Sequence, residues 1–481
     1  MRTDGYERLS GLDHSFLHFE TQNSYMHVAS TCLFRGGSSL DGDGGIDIAR
    51  ARAHIASRLH LIPRYRQRLG YVPVTNDPIW VDDDRFDLEY HVRHSHLPHP
   101  GSDAQLKTLC ARILERPLDR RRPLWEIWLI EGLEGGRFAM LSKVHHCMVD
   151  GIAGVDLLAA LLNAAPDATV GSAEPWRPAP PPTVTRLLRD EVRRRTDASA
   201  AIVATCARAL TPEARGRIAG TVGSLWGFVR SGTRTSGETP INRPIGPHRR
   251  VDWVELDLEQ VKHVKRRLGG TLNDVVLATV AGAMRRLFLD RRAPVAGDFR
   301  VLIPVSVRAA SERGETGNRV SAWLAPLPLG ESRALDRFRA IRDTTAHHRD
   351  HRQERGPEVL TRTADWTTSL PLALAIGAIR RTRAFDLIVT NVPGPQLPLY
   401  LLDAEMIAAH PHVPLFENQG LGIALLSYAG RLAIGLVADW DVVPDVHRVA
   451  GWVEAAFAEL RDAACGEPAP RARKRALQAV A

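Results

Sequence analysis

Apolar positions recur along the chain with two periods, and the switches between them outline the elements. Alternation and apolar density predict strands at 26–34 ("MHVASTCLF") and 137–146 ("RFAMLSKVHH"). The stretches 46–62 and 103–114 carry the helical repeat of amphipathic helices. A proline-rich run, "AEPWRPAPPPT" at 173–183, excludes helix and central strand and marks the exit from a first unit. Residues 184–230 read as helical, and a polar, turn-rich 231–250 leads into a second half. There, strand then helix are expected from 251 to 269. A helix follows at 271–291, with Leu272, Val275, Val276, Thr279, Ala283 and Leu287 near one face. Strands are expected at 299–307, 385–393, 421–430 and 431–440, and a last amphipathic helix at 446–463.

Both halves therefore mix α and β. The economical architecture is two α/β lobes: 1–172, a connector at 173–250, and 251–465, with a disordered tail at 466–481. A chain of 481 residues is long enough for two cores.

Composition narrows the class. No window approaches the roughly 18–20 apolar residues of a spanning helix, since "WTTSLPLALAIGAI" (366–379) is too short and holds Pro371. The N-terminus lacks the apolar core of a secretory signal, so a cytoplasmic or peripheral membrane protein is expected. Five scattered cysteines without a C-x-x-C pair argue against a disulfide framework or structural zinc. Residues 184–250 hold 13 arginines against five acids, a surplus equal to the chain's whole net charge of +8. That segment is either a solvated connector or a surface for anionic lipid. No aromatic–basic module accompanies the charge, which argues against nucleic acid.

The chemistry concentrates in "SKVHHCMVDG" (142–151), where His145, His146, Asp150 and Gly151 close a predicted strand ahead of a helical run. Histidine is the natural general base near neutral pH. Adjacent residues at a strand end point to opposite sides, so one histidine faces a cavity while the other packs. Asp150 can hold the loop, and Gly151 permits a tight turn. A metal site lacks a third histidine or an H-E-x-x-H spacing. A serine triad lacks its G-x-S-x-G elbow. A purely structural cluster remains open.

The motif H-H-x-x-x-D-G resembles that of acyl-CoA-dependent acyltransferases, within them the bacterial wax ester synthase/diacylglycerol acyltransferase family. Chloramphenicol acetyltransferase and peptide-synthetase condensation domains share it. Further blocks carry the resemblance over nearly the whole chain: "LSGLDHSFLHFET" (9–21), "IPRYRQRL" (62–69), "PLWEIWLIEGL" (123–133), "TLNDVVLA" (271–278) and "TNVPGP" (390–395). Departures are Gly11 in place of a usual proline, Arg243 in place of a usual glycine, and His410 where an aromatic residue is expected.

The resemblance implies an α/β, two-lobed chloramphenicol-acetyltransferase-like fold with mixed sheets and the active site at the lobe interface. It implies transfer of a long-chain acyl group from acyl-CoA, the co-substrate, to diacylglycerol, with no other cofactor and no metal. A long-chain alcohol, giving wax ester, is the alternative acceptor, and a non-catalytic lipid-binding or droplet-coating protein is the alternative to an enzyme. His146 would be the general base, with His145 and Asp150 supporting it and Cys147 as the rival nucleophile. Gly151, Asn273, Asp274, Asn391 and Gly394 would line the substrate site. For Asn273, a simple helix cap is the competing reading. A lipid substrate implies peripheral contact with the inner membrane face or lipid droplets.

Overall fold

A computed structural model describes residues 5–36, 45–148, 160–167, 169–208, 239–295, 298–306, 320–354 and 385–466. Asp150, Gly151, the apolar 366–379 stretch and the tail beyond 466 lie outside the described residues.

The first half runs β1 (Tyr6–Arg8), α1 (Gly11–Phe19), β2 (His27–Arg35), α2 (Ile48–Arg58), β3 (Gln67–Tyr71), β4 (Pro78–Asp82), α3 (Leu88–His91), β5 (Val92–His96), α4 (Asp103–Leu114), β6 (Trp125–Leu133) and β7 (Arg137–His145). The connector contributes α5 (Val184–Arg208). The second half runs β8 (Arg249–Asp257), α6 (Leu258–Leu268), α7 (Leu272–Asp290), β9 (Arg300–Ser306), β10 (Val320–Pro326), α8 (Ala334–Glu354), β11 (Leu387–Pro393), β12 (Tyr400–Leu401), β13 (Ala404–His412), β14 (Leu421–Tyr428), β15 (Arg431–Asp439) and α9 (Val446–Cys465).

These bounds follow local chemistry. Ser102 caps α4 in a reciprocal box with Gln105. Thr271 does the same for α7 with Asp274, so the cap there is Thr271 and not Asn273. Helix α7 is buried nearly all round, between the second sheet and its neighbours α8 and α9, which explains its apolar content.

Two six-stranded mixed sheets carry the fold, in the orders β12-β13-β2-β7-β6-β5 and β10-β9-β11-β14-β15-β8. A three-stranded sheet, β1-β4-β3, flanks the first. Among the described residues, parallel pairing is confined to β5 with β6 and to β11 with β9 and β14.

The chain does not divide between the sheets at residue 250. Strands β12 and β13, inside the predicted 251–465 lobe, belong to the first sheet, where β13 pairs antiparallel with β2. Sequence pattern missed β13 because "AEMIAAHPH" carries a proline and two histidines. Proline is tolerated there because β12 covers only the start of β13, leaving an edge beside Pro411.

The two sheets meet along β13 and α4. His412 Nε2 lies 2.8 Å from Thr31 Oγ1 on β2. His410 stacks at 4.5 Å on Trp253 of β8, filling the place expected of an aromatic ring. Lys107 of α4 sits 4.8 Å from the same indole and pairs with Asp252. Closest of all is Gly435 of β15, where a Cβ would stand 1.8 Å from the Pro411 carbonyl oxygen. Leu106, Cys110, Leu141, Leu415 and Val437 complete the apolar seam.

The connector is less detached than its charge suggests. Leu187 of α5 packs with Val72, Ile79 and Val81 of the small sheet and its flank. Arg8, Arg194 and Arg195 converge on buried Glu191. Burial alone would raise the Glu191 carboxyl, but these guanidinium groups outweigh it and hold the pKa at about 2. No described helix is long and apolar enough to cross a membrane.

Two outcomes follow from the seam. Gly435→Ala has no room for its methyl without parting β13 from β15. It is expected to cost upwards of about 3 kcal/mol, read as a lowered urea midpoint. Burial holds His410 and His412 neutral with pKa values of about 3, against 6.5 unfolded. The stability gained by keeping them neutral is full above pH 6.5 and is lost as pH falls toward 3. His410→Phe should keep the stack on Trp253 and flatten the loss of stability across that window, measured by thermal unfolding against pH.

Candidate active site

Strand β7 delivers the histidine pair, and its pairing fixes where each one goes. His145 ends the strand opposite His27 of β2, and a short 3-10 turn, His146–Met148, follows. The backbone N–H of His145 donates to Leu124 O at 2.9 Å and that of His146 to Met26 O at 2.8 Å. The turn is thus tied to both neighbouring strands.

The two rings diverge, as a strand end requires. His145 is buried, and its Nδ1 accepts a hydrogen bond from the Cys147 backbone N–H at 3.1 Å. That acceptor role places a ring proton on Nε2, which lies 3.1 Å from Glu20 Oε1. His146 instead is partly exposed and stacks on Phe16 of α1, ring centres 3.9 Å apart.

Glu20, directly after α1, organises the buried side. Its Oε1 accepts the Met26 backbone N–H at 3.0 Å, its Oε2 pairs with Arg120 at 2.5 Å, and His27 lies 3.7 Å away. Burial raises the Glu20 carboxyl, but His145, His27 and Arg120 together overcome this and hold it at about 2. It is a fixed negative charge behind the histidine turn at all ordinary pH.

The same burial keeps the neighbouring bases neutral. His27 falls well below its ordinary value through burial and the positive field of Lys143 and His145. His146 falls to about 4, through burial first and the adjacent His145 second. Cys147 is buried, and burial together with the carboxylates of Asp13 and Glu20 pushes its thiol well above its usual range. Lys143, 1 % exposed, donates to the carbonyls of Ile113 and Arg116 and lies 3.4 Å from Glu126. Its buried charge pins the end of α4 to β7.

The other sequence-predicted residues have mixed fates. Asn273 sits in the first turn of α7, partly exposed. Asp274 is 1 % exposed, and its carboxylate accepts from the Thr271 backbone N–H and the Thr345 hydroxyl, each at 2.7 Å. Asp274 thus anchors the helix start. Asn391 lies on β11 opposite Leu425, partly exposed. Gly394 follows that strand where a Cβ would come within 2.3 Å of Ser427 O, and its N–H donates to Ser427 Oγ. Close backbone approach explains the glycine. Among the described residues, no group of three His, Cys, Asp or Glu side chains is arranged to hold a metal ion.

Glu20, Phe16 and Arg120 were not singled out from sequence. The first two stand in the opening block, yet nothing local distinguishes a buried glutamate from a solvated one. Glu20→Gln keeps the shape and removes the charge facing His145 and Arg120. It is expected to cost about 2–4 kcal/mol in unfolding free energy at pH 7. Because Glu20 is held at about 2 against 4.5 unfolded, its share of stability is full above pH 4.5 and lost as pH falls toward 2. The variant should show a shallower acid transition there by circular dichroism.

Comparison with known proteins agrees with this geometry. Residues 9–276 match the wax ester synthase/diacylglycerol acyltransferase catalytic domain, and residues 316–461 match the family's C-terminal domain. A Mycobacterium tuberculosis protein provisionally named a diacylglycerol O-acyltransferase is 34% identical over 480 residues, covering 96% of this chain and 91% of its own. A second from that species, named a probable diacylglycerol O-acyltransferase, is 33% identical over 461 residues, covering 94% and 95%. Among solved structures, the wax ester synthase/diacylglycerol acyltransferase of Marinobacter aquaeolei superposes with a TM-score of 0.68 at 24% identity, over 95% of this chain and all of that one. The starter condensation domain of rhizomide synthetase shares the two-lobed fold, with a TM-score of 0.56 at 14% identity over 97% and 96%. The histidine turn, the shared fold and the two domain matches make this chain a member of the wax ester synthase/diacylglycerol acyltransferase family, an acyltransferase that uses acyl-CoA.

Proposed function

We propose that the chain transfers a long-chain fatty acyl group from coenzyme A to the free hydroxyl of diacylglycerol, forming triacylglycerol, with His146 as the general base. The observation that carries this is the division of labour at the end of β7. His145 is locked between Glu20 and the Cys147 backbone, while His146 projects from the turn as a neutral, partly exposed imidazole against Phe16. A neutral imidazole accepts the hydroxyl proton as the oxygen attacks the thioester carbonyl. The tetrahedral intermediate collapses by breaking the carbon–sulfur bond, and the proton held by His146 passes to the departing thiolate.

Direct transfer needs no acyl-enzyme. Cys147 is a poor candidate for one, because its buried thiol resists ionisation. The names of the mycobacterial relatives favour diacylglycerol, whereas the Marinobacter protein's name covers wax ester synthesis too, so a long-chain alcohol is the second acceptor. Either acceptor partitions into lipid. The enzyme would therefore work in the cytoplasm at the face of a membrane or a lipid droplet.

Coenzyme A release from palmitoyl-CoA, with diolein or hexadecanol offered in parallel, tests the reading. His146→Ala is expected to lose about 10²–10⁴-fold in kcat with its thermal midpoint preserved. Acceptor-dependent release that survives this substitution would remove His146 from the chemistry. The pH profile is a second check. With His146 held at about 4, kcat/KM should stay level from neutral pH down to about 5, then fall as the base protonates near 4. An acidic limb at the ordinary histidine value of 6.5 that His146→Ala abolishes would keep His146 as the base and show that burial does not depress it in the working enzyme.

A further inference from the structure

Helix α5 shows an unusual outer face. Its inward side is satisfied by Leu187, Glu191 and Arg194, packed against the small sheet. Its outer side carries Val184, Leu188 and Val192, which are 58%, 36% and 63% exposed. Spaced by four residues, they form one stripe within an arc of about 80°. Arg195 falls within the same arc two turns past Leu188, and Arg189 and Arg193 lie beyond the Val192 edge, all exposed. Among the described residues Arg193 pairs with Asp197, at 4.0 Å, and Arg195 keeps half its side chain in solvent while bonding Glu191.

A second feature lies beside it. Arg194 bonds Asp77, tying α5 to the turn that joins β3 to β4. At that turn stands Val74, 96% exposed, with φ at +73°. A β-branched residue is seldom found in the left-handed region, where glycine or asparagine sits without strain. Tyr71, at the end of β3, is 43% exposed. Apolar side chains at a turn tip and along an adjoining helix, rimmed by arginines, match one kind of partner. Acyl chains take the apolar groups, anionic head groups take the guanidinium groups, and neither alone gives firm attachment.

We propose that the outer face of α5, together with Val74 at the β3–β4 turn, is the surface by which the enzyme docks on an anionic phospholipid bilayer. The inference rests on the lipid-acceptor reading above and adds the docking surface to it. The arginine side chains can extend their charged ends to phosphates while their stems lie along the stripe.

Vesicle flotation tests this with the full chain, using phosphatidylcholine alone and phosphatidylcholine mixed with phosphatidylglycerol. Wild type should float with the mixed vesicles, and high salt should weaken this. Leu188→Glu with Val192→Glu, and separately Arg189→Glu with Arg193→Glu, should each lower partitioning by at least about 10-fold at an unchanged thermal midpoint. Val192→Trp should strengthen it. Undiminished flotation of both double variants, or no flotation of wild type, overturns the proposal. So does a wild-type dimer in light scattering that the Leu188/Val192 variant converts to monomer, because the stripe would then face a second copy. Coenzyme A release with detergent-dispersed acceptor separates the two readings. Docking-defective variants should retain it, whereas a wild type that floats and releases none fails as an acyltransferase while docking stands.

Discussion

Strand β13 is the constraint on which the rest of the molecule depends. It arises late in the chain, after most of the second sheet is built, yet it pairs along β2 in the first. Its carbonyl at Pro411 presses on Gly435 of β15, so one strand is held by hydrogen bonds to one sheet and by backbone contact to the other. The lobes cannot separate without breaking that ladder, and the seam beneath it buries Trp253, His410 and His412 in a water-poor layer. Because β2 is paired with β13 on one side and β7 on the other, a shift in β13 reaches the histidine turn through a single strand.

Burial of polar groups is the second theme, and charge decides how each is accommodated. Glu20 remains ionised because Arg120, His145 and the Met26 backbone N–H converge on it, and Glu191 because several guanidinium groups do. Lys143 is charged against two backbone carbonyls and Glu126. The histidines His27, His146, His410 and His412 take the other course and stay neutral. For His146 that neutrality keeps a proton acceptor open across the physiological range. It also lowers intrinsic basicity, so the proposed reaction relies on orientation as well as on proton transfer.

Glu20 links these themes at the site. It closes the end of α1, takes the backbone N–H of Met26 just before β2, and faces His145 at the end of β7. The sequence neighbours α1 and β2 thus meet the distant β7 at one imidazole, and the next imidazole projects from the turn. Phe16, on the same helix as the approach to Glu20, supplies the surface on which His146 rests.

Much of this could be read from the chain alone. The strands at β2 and β7, the helices α4, α7 and α9, and the hairpin β14–β15 follow from local periodicity, which is set by which face each segment must bury. The histidine pair was legible for the same reason, as polar residues abruptly ending an apolar strand. Tertiary structure decided what depends on distant partners. It placed β13 in the first sheet, where a proline and two histidines had masked a strand whose edge position tolerates them. It committed Asp274 to Thr271 and Thr345, an assignment that turns on a residue 71 positions away. It docked the start of the basic connector through Glu191. And it turned Glu20 from one more acid into the charge behind His145. Local pattern records which face of a segment avoids water; which charges meet in the interior is settled only when the sheets close on one another.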